Sequence, residues 1–381
     1  TGSILSRKPA SEYITSIYNS ASKINATVNN ITYNLAPSVS LMNDRLGGTT
    51  QSLDGGNIRY YGSNPNNYVW LGDTYTEDVT FPGYISENGY SDFEDCLAGE
   101  GYDEEEGRLY CTEDVVRRPG DKKLWRIIGV FNNQLKLISA DPISTQGLSW
   151  DTTAQSVNNG YGINQWGPSG NYEGADLMRL LNDEEGLYWT KDIGTVYTGW
   201  QNATTDDVSF ESSGLSTNEK NMITRANWYT GAYTEDNYSY VSDHYAAERS
   251  TGGKICTQGT TYCNDEVTRT FSWNGKVGLM QASDFGYSVD LNECNQTMDN
   301  YWESDCIGNL WLKPYNGWEW TVSVRANSYY AHDVFYVYND GYFEGHSAGH
   351  VGLVRPVVFL KSGVTIPEGN GSQSTPYQIL G

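Results

Sequence analysis

The sequence predicts an α+β fold built of short strands, two or more helices and long loops, on three observations. Glycine (41) and tyrosine (30) are abundant while lysine plus arginine total 24, which suits pleated, half-buried surfaces joined by turns. Apolar residues gather in short runs bounded by Asn, Gly, Ser and Asp. Only a few segments carry helical spacing. No period of roughly 20–50 residues repeats, which disfavours solenoids and propellers. The expected organisation is a helical stem and linker over residues 1–45 and one large domain over 46–381.

In chain order, Tyr13, Ile14, Ile17 and Tyr18 fall at helical spacing behind a candidate cap, Ser11, so a short amphipathic helix is expected over Ala10 to Ala21. From Asn25 to Asp54 the weak apolar pattern reads as a linker or irregular strap. Strand-like runs follow at Asn67 to Leu71, Leu124 to Phe131 and Leu135 to Ser139, the last two joined by the hairpin turn Asn132-Asn133. Leu177, Met178, Leu180 and Leu181 crowd one side of a helix over Gly174 to Asn182. A second helix is expected over Thr217 to Ala226, opened by Ser216 with Glu219 three residues on, the pattern of a capping box. Further strands are expected at Lys276 to Met280, Val334 to Tyr338 and Val354 to Leu360.

Composition limits the function classes. With 381 residues and 38% hydrophobic content the chain can bury a substantial core. Its 47 acidic against 24 basic residues give a formal charge of −23, which argues against nucleic acid and anionic membrane surfaces as partners. No apolar run approaches the roughly 18 residues of a spanning helix. The start Thr1-Gly2-Ser3 carries no charged-then-apolar leader, and we expect a processed or trimmed chain without direct membrane insertion.

Six cysteines form three sequence-local couples, Cys96 with Cys111, Cys256 with Cys263 and Cys294 with Cys306. Six allow 15 pairings, but couples this close, each bracketing a polar loop, favour nearest-neighbour disulfides and an oxidising compartment. The absence of a Cys-x2-Cys knuckle makes a zinc site the weaker reading.

A family resemblance rests on an ordered set of segments: Leu124 to Phe131, Asp176 to Asn182, Gly275 to Tyr287, Trp311-Leu312 and Val354 to Val364. Over residues 46 to 381 these resemble surface proteins of gut Firmicutes. Those proteins carry a C-type-lectin-like domain, distantly similar to the formylglycine-generating-enzyme fold, often behind a pilin-type helix. Several members are variable proteins of diversity-generating retroelements, whose adenine-directed mutagenesis rewrites Asn codons near the C-terminus. The resemblance implies a C-type-lectin-like domain and a candidate variable region over 318–356. It further implies a secreted or cell-surface adhesin, with a stem continuing into a pilin-like or membrane segment, since Tyr377 to Leu380 shows no Leu-Pro-x-Thr-Gly sorting signal.

Residues Asn327 to Leu353 concentrate aromatic side chains and three of the four histidines of the chain. Substitution of both adenines of an Asn codon ending in pyrimidine reaches Tyr, His, Asp, Ser, Gly, Phe or Leu but never Lys, Gln, Met or Trp. None of those four occurs in the window, and Glu344 is the exception to the rule. The candidate ligand-binding residues are Tyr329, Tyr330, His332, Asp333, Phe335, Tyr336, Tyr338, Asn339, Tyr342, Phe343, His346 and His350. Tyrosine and histidine offer large amphipathic contact area at small rotamer cost, the logic of antibody loops. The expected partner is a protein or glycan on another cell or surface. Val334 to Tyr338, the turn Asn339-Asp340-Gly341 and Tyr342-Phe343 also read as an ordinary hairpin whose rings fill a core.

Catalytic alternatives find weaker support. Gly345-His-Ser-Ala-Gly349 matches a Gly-x-Ser-x-Gly elbow in letters, but a Val-rich strand rather than a helix is expected after it, and His350 is the last histidine. His346 and His350 have the i, i+4 spacing of a zinc helix, which Gly345, Gly349 and Gly352 disfavour. Asp333 with Glu344 could serve a glycosidase, and Asp103 to Glu106 could hold calcium; in a chain of 47 acids both are expected coincidences. The reading is a non-enzymatic binding protein that calls for no cofactor or metal, with calcium left open. A pilin-like filament subunit and a carbohydrate-active enzyme are the alternatives.

Overall fold

A computed structural model of the chain describes residues 8–45, 56–81, 102–103, 108–109, 113–145, 147–152, 162–182, 196–197, 205–206, 214–233, 239–250, 265, 267–314, 317–325 and 332–381. The first helix, α1 (Ala10–Ser20), forms where its spacing places it, with Ile14 and Tyr18 buried. Its N-cap is Pro9 rather than Ser11, which is buried within the first turn. A hydroxyl cap is dispensable there because the Ala10 amide donates to the carbonyl of Val364 at 2.7 Å, so a neighbouring loop satisfies the orphan donor.

The linker expected from Asn25 is instead sheet. Strands β1 (Ile24–Val28) and β2 (Ile31–Ala36) pair antiparallel around Asn29-Asn30, and β3 (Leu41–Asn43) continues to β4 (Ile58–Tyr60). Asn29 and Asn30 have φ of 49° and 60°, and Asn132 and Asn133 have 49° and 61°. Both φ values are positive, as a two-residue type I′ hairpin requires. Asparagine tolerates this region because its short polar side chain bonds locally.

Further along lie β5 (Tyr68–Thr74), β6 (Lys122–Phe131) and β7 (Gln134–Ser139), then β8 (Ile223–Thr224), β9 (Ala226–Tyr229), β10 (Ser272–Gly275) and β11 (Val277–Gly278). The C-terminal half adds β12 (Trp318–Arg325), β13 (Asp333–Tyr338), β14 (Phe343–Ser347), β15 (Val357–Leu360), β16 (Thr365–Glu368) and β17 (Tyr377–Leu380). A 12-stranded sheet runs β1-β2-β3-β4-β6-β7-β15-β8, with β11 also on β15, and β5 joining β6 to β17 and so to β16. The pairings are antiparallel except β17 with β5. A second sheet orders Ala232–Tyr233, β12, β13 and β14. The fold is thus α+β, as expected. One apolar core contains Ile14 of α1, Leu35 of β2, Ile127 of β6 and Phe335 of β13, and α1 packs against β6, β7 and β16 of the larger sheet.

The helices α2 (Asp176–Leu181) and α3 (Thr217–Met222) match their predicted positions. The capping box of α3 is complete: the Glu219 amide donates to Ser216 Oγ at 3.3 Å and the Ser216 amide to Glu219 Oε2 at 2.7 Å. α3 stops short of Ala226 because Ile223 pairs with Leu360 on the sheet, and pairing outcompetes helix propensity. The strand expected from Val354 starts at Val357, past Pro356, which has no amide to give to a ladder. Two later helices, α4 (Val241–Glu248) and α5 (Ala282–Gly286), pack together between the sheets. Cys294 and Cys306 form a disulfide. Cys96, Cys111, Cys256 and Cys263 lie outside the described residues, as does the acidic stretch 92–101.

Candidate functional site

The C-terminal sheet carries the candidate residues, and strand alternation sorts them into two populations. Strands β13 and β14 form the expected hairpin, closed by the Tyr338 amide on the Tyr342 carbonyl at 2.8 Å. Gly341 turns the chain at φ +89°, and a Cβ there would meet Ile307 Cδ1 at 2.8 Å and the Tyr301 carbonyl at 2.9 Å. Only glycine satisfies both the angle and the space.

On the inner face, Phe335 stacks on Phe343 with centroids 4.8 Å apart, and the His244 ring meets both edge-on. Phe335 and Phe343 have no exposed surface. Their expected display to a ligand is corrected: on a sheet packed against α4 and α5, alternate positions must fill the core. Tyr336 is also buried, donating to Glu344 Oε2 at 3.2 Å. His332, Asp333, Asn339 and His350 are buried as well. Asn339 is drawn in by its amide on the Gly317 carbonyl at 2.7 Å. Tyr329 and Tyr330 lie outside the described residues.

The half-exposed members are Tyr338, Tyr342 and His346, together with Glu344. They rim Trp318 on the outer face. Tyr338 lies parallel to the Trp318 ring at 6.1 Å, Tyr342 is 5.8 Å from Tyr338, and His346 and His350 lie 5.4 and 4.1 Å from Trp318. Register explains the grouping: Trp318 pairs with Tyr338 and Trp320 with Tyr336, so these rings project from one side. Trp318 itself is buried, as is Trp320 farther along the face, whose Nε1 donates to the Leu148 carbonyl at 2.8 Å.

Electrostatics follow burial. Burial pushes His350 down to about 4, with nearby His346 adding to the effect, and lowers His346 also, so both rings are neutral at pH 7. Asp333 is pushed up to about 7 by burial, against the opposing charge of Arg325 and reinforced by Glu344. His332 Nε2 stands 3.2 Å from Asp333 Oδ1.

The chemistry weighed from sequence looks different in three dimensions. Ser347 Oγ is 3.4 Å from His346 Nδ1, but that nitrogen already accepts the Ser347 amide at 2.8 Å. No helix follows the serine; the chain turns and enters the short strand Val351–Gly352. Asp333 and Glu344 occupy positions of opposite parity, opposite Ser347 and Tyr336 respectively, and so leave the sheet on opposite faces. Among the described residues no group of three or more His, Cys, Asp or Glu side chains is arranged to hold a metal ion.

Sequence reasoning missed Trp318 as the centre of the outer face, although Trp318 and Trp320 alternate as a strand requires. It also missed Arg225 and Arg249. Searches against family models, curated proteins and solved structures return no match to this chain.

Proposed function

We propose that this chain is a surface-displayed ligand-binding protein with a C-type-lectin-like domain, which docks a protein or glycan on another cell through its C-terminal sheet. The observation that carries the reading is the cluster of Tyr338, Tyr342, Glu344 and His346, half-exposed at the edge of a sheet whose neighbouring Trp318, Trp320 and Tyr336 are buried in the core. Aromatic groups held rigidly lose little entropy when a partner covers them, the property of interface hot spots. The Cys294–Cys306 disulfide supports an oxidising, extracellular setting.

The same geometry supports retroelement diversification. A region tolerant of programmed change needs variable positions that do not fill the core, and Tyr338, Tyr342 and His346 meet that condition where Phe335 and Phe343 do not. The test is a protein and glycan array probed with the purified chain, together with sequencing of the encoding locus. The reading predicts selective capture of a small set of ligands. It also predicts an adenine-rich near-repeat beside a reverse transcriptase gene, with sequence differences at Tyr338, Tyr342 and His346. An array without selective capture removes the binding reading, and a locus without such a repeat removes the diversification.

A further inference from the structure

A second site lies away from the aromatic face and shares no residue with it. A pocket of about 280 Å3 opens beside the hairpin turn of β6 and β7, between β9, β10 and α4, and is lined among others by Arg225, Arg249, Asn57, Asn227, Asn274 and Gln281. Its size is just under the roughly 300–1,000 Å3 of small-molecule sites. Its charge is opposite to that of the molecule: the described lining residues include two arginines and no carboxylate, in a chain of net charge −23.

Both arginines are held in place by contacts with the pocket walls. The Arg249 side chain is 8% exposed, and its guanidinium carbon sits 3.5 Å from the Tyr245 ring centroid and 4.6 Å from that of Tyr229. Nη1 donates to the Tyr245 carbonyl at 3.1 Å and to Glu248 Oε2 at 3.2 Å, while Nε is buried without a hydrogen-bond partner. Glu248 is its ion-pair partner, and that carboxylate is fixed by the Ser283 amide, Ser283 Oγ, Ser323 Oγ and Gln281 Nε2, which donate to it. Arg225 is aimed by Asn274, with Nε on Oδ1 at 2.9 Å and Nη2 on the carbonyl at 2.5 Å. Among the described residues no carboxylate pairs with it. Asn274 in turn donates to Asn227 Oδ1 at 2.9 Å.

We propose that this pocket binds an acidic sugar, with its carboxylate on the guanidinium groups of Arg225 and Arg249. Arginine presents paired donors that match a carboxylate, and gains strength where water is excluded. The amides of Asn227 and Gln134 supply both donors and acceptors for ring hydroxyls. Phe131, Tyr229 and Phe359 add apolar surface for the sugar's C–H faces. A neutral sugar would leave Arg225, which has no carboxylate partner among the described residues, unanswered.

The experiment is saturation-transfer NMR and calorimetry on the full chain with glucuronate, galacturonate and N-acetylneuraminate, against glucose and the methyl ester of glucuronate. At least one carboxylated sugar is expected to bind saturably, with glucose and the neutral ester at least tenfold weaker. Arg225→Gln, at an exposed position, should weaken binding at least tenfold without shifting the thermal midpoint; Arg249→Met should weaken it at least as much, with a lowered midpoint because it leaves buried Glu248 without its ion-pair partner. Failure of all three acids to bind at millimolar concentration, equal binding of the neutral sugars, or unchanged affinity in folded Arg225→Gln overturns the proposal. Substitution of Tyr338, Tyr342 and His346 is expected to leave this binding intact, which separates its failure from failure of the aromatic face.

Discussion

Arg59 Nη1 and Asp284 Oδ1 lie 3.0 Å apart across 225 residues of sequence, and both side chains are almost wholly buried. Asp284 also accepts from Lys136 Nζ and from the Gln281 amide, and Arg59 Nε donates to Asp44 Oδ2 at 2.7 Å. The start of α5, strands β4 and β7 and the end of β3 therefore meet in one ionic knot. Burial alone would raise the Asp284 carboxyl, but Lys136 and Arg59 outweigh it and hold it below the usual range. Burial lowers Lys136, against the pull of Asp284.

Breaking one member of such a knot leaves buried charge uncompensated, at a cost of about 3–5 kcal/mol. Asp284→Asn should lower the unfolding free energy by that amount in urea titration. Adding Lys136→Met to it should cost less than the sum of the single changes, because the second change removes the charge the first left unpaired. A loss under about 1 kcal/mol for Asp284→Asn would contradict this role.

Acid sensitivity should pass through His244. Burial between Phe335 and Phe343 pushes its ring down to about 3 from an ordinary 6.5. Its folded pKa is depressed, so its contribution is present above pH 6.5 and is lost as pH falls from there toward 3. Asp333 acts in the opposite direction: raised to about 7 from 3.8, it makes the fold relatively more stable as pH falls through that window. His244→Phe isolates the histidine, and its stability should fall less than that of the parent between pH 6.5 and 4. Identical pH profiles would count against the assignment.

The Cys294–Cys306 bridge closes a 12-residue separation, and the chain-entropy relation gives about 3 kcal/mol for a loop near this size. Replacing both cysteines with alanine should lower the thermal midpoint by several degrees while preserving the circular dichroism spectrum. An unchanged midpoint would show the loop to be held by other contacts.

The Asn29-Asn30 turn should be sensitive to backbone chemistry. Glycine adopts its positive φ freely, whereas a β-branched residue there costs about 1–2 kcal/mol. Asn30→Val should therefore destabilise by that amount in chemical denaturation and Asn30→Gly should not; equal effects would contradict the turn assignment.

Much of the fold was legible because local signals matched tertiary demand. The periodicity of α1, the capping box of Ser216 with Glu219 and the Asn132-Asn133 turn each mark real elements. The reading of residues 25–54 as linker missed the same Asn-Asn signal between Val28 and Ile31, since polar Asn and Thr neighbours hid a half-buried edge. The knot of Asp44, Arg59, Lys136 and Asp284 has no local signature; it exists only once strands far apart in sequence pair. The candidate face was legible as a hairpin, but aromatic density could not tell Phe335, which fills the core, from Tyr338, which is half-exposed. Period-two alternation of the hairpin separates them, and it was readable once the inner face was fixed.

The most direct test of the binding account is array or cell attachment by the chain with Tyr338, Tyr342 and His346 replaced together by serine, compared with the parent at equal thermal midpoint. The account predicts at least a tenfold loss of attachment by the folded variant. Attachment at parental strength would contradict it and place recognition elsewhere on the molecule.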